Sequence, residues 1–244
     1  MDRQTDRSLD TVAFTYDWYR GFLDHLDEEG IAVRRLSDDG DGVVLRHDVD
    51  LSIEKALTMA RIEADRGIQS TYCFLLTSAL YNPLELEHRD RIRTIEALGH
   101  EIALHFSTHE YWGPDERLDT DTLVERVEAE QAILDSITAS HPETVSFHVP
   151  PSWVLDREFE GFRNAYAPEF FSEMNYVADS KQRWRDGPPT VDAVEADTQV
   201  LVHPGLWGEA DADFEARIEG AIDDSCRHSK RKAELEFIEG AYET

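Results

Sequence analysis

From residue 42 to residue 148 the chain alternates short runs of β-branched and apolar residues with longer stretches whose apolar residues recur at helical spacing. "GVVLRHDVD" is the first such run and reads as a buried strand. "SIEKALTMARIEADRG" follows, with Ile53, Leu57, Ala60 and Ala64 at helical spacing and Gly67 as its stop. "QSTYCFLL" is a second strand, and "RDRIRTIEALG" a helix carrying Ile92, Ile95 and Leu98 and ending at Gly99. "HEIALHF" is a third strand, "DTLVERVEAEQAILDSIT" another helix, and "TVSFHV" a fourth strand. Parallel strands need long crossover connections, so this alternation predicts βαβ units and a parallel sheet. An open doubly wound sheet and a closed barrel both satisfy it.

The position of the polar residues separates the two. Asp48, Asp50, His105, His109, His148, Asp179 and His203 all fall at or just beyond the C-terminal ends of expected strands, "NYVADS" and "TQVLVHP" supplying the last two. In a barrel those ends converge on one face, where barrel enzymes carry their sites. The expected architecture is therefore a (β/α) barrel. Its motif-bearing core is residues 43–208, preceded by an amphipathic helix over 9–29 (Val12, Tyr16, Tyr19, Phe22, Leu23) and followed by a helical segment over 211–240. A length of 244 residues suits one such domain, 1–244, with no repeat or low-complexity linker to divide it.

Charge narrows the partners. The formal net charge is −28, and the acidic residues are spread over every segment. Dispersion of this kind describes a solvated acidic shell over a folded body, whereas a single block would describe a disordered tail. Lysine is confined to Lys55, Lys181, Lys230 and Lys232. Because salt screens charge repulsion, the surface reads as that of a halophilic protein. Nucleic acid is excluded as an expected partner, since its phosphates would be repelled and no basic stripe exists. Cys73, in the apolar run "TYCFLL", is expected to be an inert core residue, and with Cys226 it makes no disulfide framework. "MDRQTDRSLD" has no apolar signal region and no stretch approaches membrane-spanning length, so a soluble, cytoplasmic protein without membrane insertion is expected.

The chemistry-bearing residues fall into three groups. "LHFSTH" places His105 and His109 four apart after a strand, a spacing that is weak evidence by itself. "RHDVD" adds Asp48 and Asp50. Catalytic zinc-type sites commonly use two histidines and one carboxylate and leave a position for water. Either aspartate completes such a set, and the other is then placed to act as general base. Asp50 also competes with Ser52 as N-cap of the following helix, but a cap accounts for one acid and not for two. In "TQVLVHPGLWG", His203 ends an apolar strand and is placed to protonate a leaving group. "SFHVPPSW" and "YVADSKQRW" are further rim segments, in which His148, Trp153, Asp179 and Trp184 would line a cleft suited to sugar rings. Serine and cysteine nucleophiles lack support, as do phosphate-cradling loops: no G-x-S-x-G, G-x-x-x-x-G-K-S/T or G-x-G-x-x-G occurs.

Taken in order, "RHDVD", "GHEIALHFSTH", "SFHVPP" and "LVHPGLWG" resemble the polysaccharide deacetylase (NodB-homology) superfamily, carbohydrate esterase family four, and more narrowly its divergent branch with R-H-D-V-D in place of T-F-D-D. The resemblance implies a distorted (β/α) barrel, usually of seven strands, a divalent ion, usually Zn2+, and hydrolysis of an acetyl amide or ester on a carbohydrate. By position, His105 and His109 match the histidine ligands, Asp50 the carboxylate ligand, Asp48 the general base and His203 the general acid. Asp179, Ser180, Trp184 and Arg185 are then substrate contacts. The sequence departs from the family at Phe106, where Ser or Thr is usual, and at His148, in the region of an Arg that orients the base. Competing expectations are a metal-dependent hydrolase of a non-sugar C–N bond and a catalytically silent carbohydrate-binding barrel. A homodimer is compatible with such barrels.

Overall fold

The computed structural model describes residues 11–113, 116, 119–187, 189 and 197–240. Eight strands lie in one all-parallel sheet: β1 (Val33–Arg34), β2 (Val43–Val49), β3 (Thr71–Leu75), β4 (Glu101–Phe106), β5 (Thr144–Phe147), β6 (Arg163–Asn164), β7 (Asn175–Ala178) and β8 (Thr198–Val202). Seven of them run in the order β6-β5-β4-β3-β2-β8-β7, and the two-residue β1 pairs with the start of β2. The helices are α1 (Tyr16–Glu28), α2 (Ile53–Ala64), α3 (Leu86–Ala97), α4 (Thr120–Asp135), the single turn α5 (Pro168–Phe171) and α6 (Phe214–Ala233). Seven parallel strands thus curl into a half-barrel with flanking helices, consistent with the distorted barrel that the resemblance implies.

The curl stays open between β6 and β7, which do not pair. Side chains close the seam instead. Gln199 Nε2 donates to the carbonyls of Ala165 (3.1 Å) and Phe170 (2.5 Å). The rings of Tyr166, Phe171 and Tyr176 pack with centroids 5.2–6.3 Å apart.

β2 shows how the sequence writes both faces of the sheet. Successive side chains on a strand point to opposite faces. Val43 and Leu45 join the cluster built with α1, Val49 the one built with α2 and α3, while Val44 packs inward against Ala165, Ala167 and Phe170. All seven residues of β2 are buried, Arg46, His47 and Asp48 included. By parity Arg46 and Asp48 face the barrel interior and His47 faces the helices.

The terminal helices are shorter than helical spacing suggests. α1 starts at Tyr16 because Thr15 caps it, its hydroxyl accepting from the Trp18 N–H, and Thr15 itself is extended and bridged to Gly208; residues 9 and 10 lie outside the described part. Asp213 caps α6, which therefore begins at Phe214 and runs on through a π-helical turn at Glu234–Ile238. The two-residue strands β1 and β6 have no alternation long enough to be read from sequence. No described helix is long and apolar enough to cross a membrane.

Candidate metal centre

β2, β4, β5 and β8 deliver the polar groups to the C-terminal end of the half-barrel. Asp50 Oδ1 lies 3.1 Å from His105 Nε2 and 3.1 Å from His148 Nδ1, and the two ring nitrogens are 3.2 Å apart. Asp50 Oδ1 is buried and accepts no well-aligned hydrogen bond from either ring. Three donor atoms therefore face one point. Tetrahedral zinc with bonds of about 2.0–2.1 Å would separate its ligands by roughly 3.3 Å, so the spacing and the carboxylate–imidazole–imidazole set fit a divalent ion of that kind.

Behind these donors the orientation of His105 is fixed. Its Nδ1 is 2.8 Å from Ser146 Oγ, and the Ser146 hydroxyl donates to Asp48 Oδ1 at 3.0 Å. With the serine proton committed to Asp48, His105 Nδ1–H donates to Ser146 and leaves the Nε2 lone pair toward Asp50. A hydrogen-bond partner on the far ring nitrogen sets the tautomer of a ligating histidine.

Asp48 itself is fully engaged. Arg46 Nε reaches Oδ1 at 2.9 Å and Nη2 reaches Oδ2 at 2.7 Å, with Tyr166 OH accepting a further bond from Nη2 at 2.7 Å. Burial alone would raise the Asp48 carboxyl, but Arg46 and then His105 outweigh it and hold the group well below the usual carboxylate range. Burial is likewise outweighed at Asp50, which the adjacent imidazoles of His105 and His148 hold below the usual carboxylate range. A carboxylate so acidic and so occupied is a poor proton acceptor, which disfavours the expected base role of Asp48.

His203, just past β8, is gripped by Asp179. Asp179 Oδ1 is 2.5 Å from His203 Nδ1, both carboxylate oxygens accept from the His203 backbone N–H at 3.0 Å, and Oδ2 accepts from Trp207 Nε1 at 2.9 Å. Its Nε2 points toward Asp50, 3.9 Å from Oδ2. Burial would lower the imidazole, but Asp179 outweighs it and lifts the group to about 9. At neutral pH His203 is an imidazolium with Nε2–H turned to the donor triad.

Several expected residues stand elsewhere. His109 sits on the 3-10 turn Thr108–Glu110, exposed, with Nε2 3.2 Å from the Val149 carbonyl; the second imidazole beside Asp50, after that of His105, is that of His148. β4 ends at Phe106, which inserts into the helix-side core, and the turn after it carries His109 away from the cluster. Trp184 is not a substrate contact: it is buried among Trp18, Phe22 and Trp207, in the aromatic core beneath α1. Nor is Arg185, which binds Asp211 at 2.6 Å and lies over Phe14 at 5.0 Å. Trp153 stands on an exposed turn outside the cavity wall, and Asp179 holds His203 instead of meeting substrate. Ser180, in contrast, lines the cavity.

Residue reasoning left out Ser146. A signal for Ser146 does exist: in "TVSFH" the polar Thr144, Ser146 and His148 alternate with the apolar Val145 and Phe147, so Ser146 and His148 share the inward parity. His47, by contrast, belongs to a separate buried network on the helix side. Its Nε2 lies 2.7 Å from Glu63 Oε1, and Glu63 also accepts from Tyr19 OH and Ser70 Oγ, each at 2.5 Å.

No family model matches the sequence, and no curated protein matches it. Solved structures do. The Bc1960 peptidoglycan N-acetylglucosamine deacetylase is similar over 84% of this chain and 88% of its own, at 13% identity and TM-score 0.46. The peptidoglycan deacetylase PdaC from Bacillus subtilis is similar over 79% and 85%, at 14% identity and TM-score 0.45. BA3943 from Bacillus anthracis, a family 4 pseudoenzyme, is similar over 76% of this chain at 13% identity and TM-score 0.44, and this chain spans 60% of its length.

Proposed function

We propose that this protein is a metal-dependent deacylase that hydrolyses an amide or ester on a carbohydrate, acetyl being the simplest acyl group it removes. The observation that carries the reading is the meeting of Asp50 Oδ1, His105 Nε2 and His148 Nδ1 within 3.1–3.2 Å of one another, beside the His203 imidazole held by Asp179. Asp50, His105 and His148 are the residues that would hold the ion, with Zn2+ the proposed occupant. Such an ion supplies Lewis-acid chemistry, lowering the pKa of water and polarising an acyl carbonyl.

The chain's own groups do the rest. The Asp48–Ser146–His105 relay keeps the Nε2 lone pair aimed at the site, and Arg46 balances the buried Asp48 charge. His203 Nε2–H is the proton source for the departing amine or alkoxide, and Asp179 stabilises the imidazolium until that transfer. The motif order from "RHDVD" to "LVHPGLWG" supports the carbohydrate class.

Metal analysis paired with acetate release from a panel of acetylated sugars tests the reading. His148→Ala is expected to lose stoichiometric metal and activity together, whereas His109→Ala keeps bound metal. Full metal content in His148→Ala, or no acetate from any sugar by the metal-loaded protein, would count against it.

A further inference from the structure

The donor triad and His203 open onto a cavity of about 520 Å³ that extends into the barrel interior along the unpaired β6–β7 seam. Beyond the donors its wall includes Phe147, Leu155, Tyr166, Phe171, Tyr176 and Leu201. Lys181 and Arg183 also line it, Lys181 with φ 55, a left-handed backbone that a non-glycine residue adopts only under constraint.

We propose that the acyl group cleaved at this site is apolar and much larger than acetyl: an aliphatic or aryl chain enters the barrel interior while the polar remainder of the substrate stays beside Ser180, Lys181 and Arg183. This inference rests on the hydrolase reading above and assigns its substrate class.

Size is the first argument. A volume of 520 Å³ falls in the range that encloses a whole small molecule, and acetyl offers one methyl group to fill it. Chemistry is the second. A sugar ring carries hydroxyls around its edge, and each one desolvated without a partner is costly. The interior wall offers few partners. The Tyr166 hydroxyl is already bonded to Arg46. Aromatic rings and leucines suit a hydrocarbon instead.

Position is the third argument. The seam is where the sheet gives up backbone pairing and substitutes aromatic packing, so the interior there is both apolar and adjacent to the reacting centre. Lysine occurs at only four positions in a chain of net charge −28, and one of them lines this cavity. That placement matches a substrate with a polar or anionic end outside and an apolar end within.

The test is a series of N-acyl glucosamines with one amine and a varied acyl group: acetyl, butanoyl, octanoyl and benzoyl. With metal-loaded protein, kcat/KM is expected to rise at least about tenfold from acetyl to octanoyl. A second readout needs no turnover. Calorimetric binding of acetate, butanoate and octanoate to the metal-free protein should tighten up to about fourfold for each methylene that enters the cavity. Ala178→Phe, which fills the chamber from β7, should lower the octanoyl-to-acetyl ratio in both measurements. Acetyl turned over best, with no chain-length gain in binding, overturns the proposal and leaves the hydrolase reading standing. No turnover of any member by metal-loaded protein overturns the hydrolase reading, and the binding series then decides whether the chamber holds apolar chains.

Discussion

His148 and His109 show what one residue's parity decides. His148 follows Phe147 on the inward side of β5, in step with Ser146, and so arrives at the triad with its ring already aimed. His109 lies beyond the end of β4, where alternation no longer applies, and a 3-10 turn presents it to solvent. The same scale explains Asp179, whose buried carboxylate takes four bonds from His203 and Trp207. Asp179→Asn should leave metal content unchanged and lower kcat by about a hundredfold or more, because the imidazolium loses the charge that stabilises it. Loss of metal together with activity in this variant would mean that Asp179 organises the triad and not the acid.

Among the elements, β2 and α2 carry a second buried charge network that the site does not use. Burial would raise the Glu63 carboxyl, but His47, backed by His100 and Ser70, brings it down to about 2. A carboxylate depressed in the folded state contributes stability above its unfolded value and loses it as pH falls from about 4.5 through about 2. Glu63→Gln should therefore destabilise the fold by about 3–5 kcal/mol at neutral pH, and the gap to wild type should narrow near pH 2, as read from denaturant midpoints. A gap independent of pH would place the cost in packing alone. Nearby, the turn Pro204–Leu206 approaches the β2–α2 loop so closely that a Cβ on Gly205 would lie 2.6 Å from Leu51 Cβ, while Lys55 Nζ on α2 donates to the Gly205 carbonyl at 2.9 Å. That contact seats the segment bearing His203 against the β2–α2 loop bearing Asp50.

At the scale of the whole molecule, a net charge of −28 bears on stability more than on fold. Raising salt from about 0.1 M to about 1 M shortens the screening length from about 10 Å to about 3 Å, and the melting temperature should rise accordingly. A melting temperature that falls over that range would remove the halophilic reading of the surface. The sequence by itself determined the βαβ alternation, the parallel sheet, and the delivery of Asp48, Asp50, His105, His148 and His203 to one end of it. These follow from periodicity and strand length, which are local properties. Tertiary structure alone decided that His148 and not His109 stands beside Asp50 and His105, that Ser146 engages Asp48, that Trp184 and Arg185 pack away from the cavity, and that the barrel stays open at β6–β7. Each of these depends on contacts between residues far apart in the chain, such as Ser146 with Asp48 or Arg185 with Asp211, and no local pattern encodes which side chains such distant segments bring face to face.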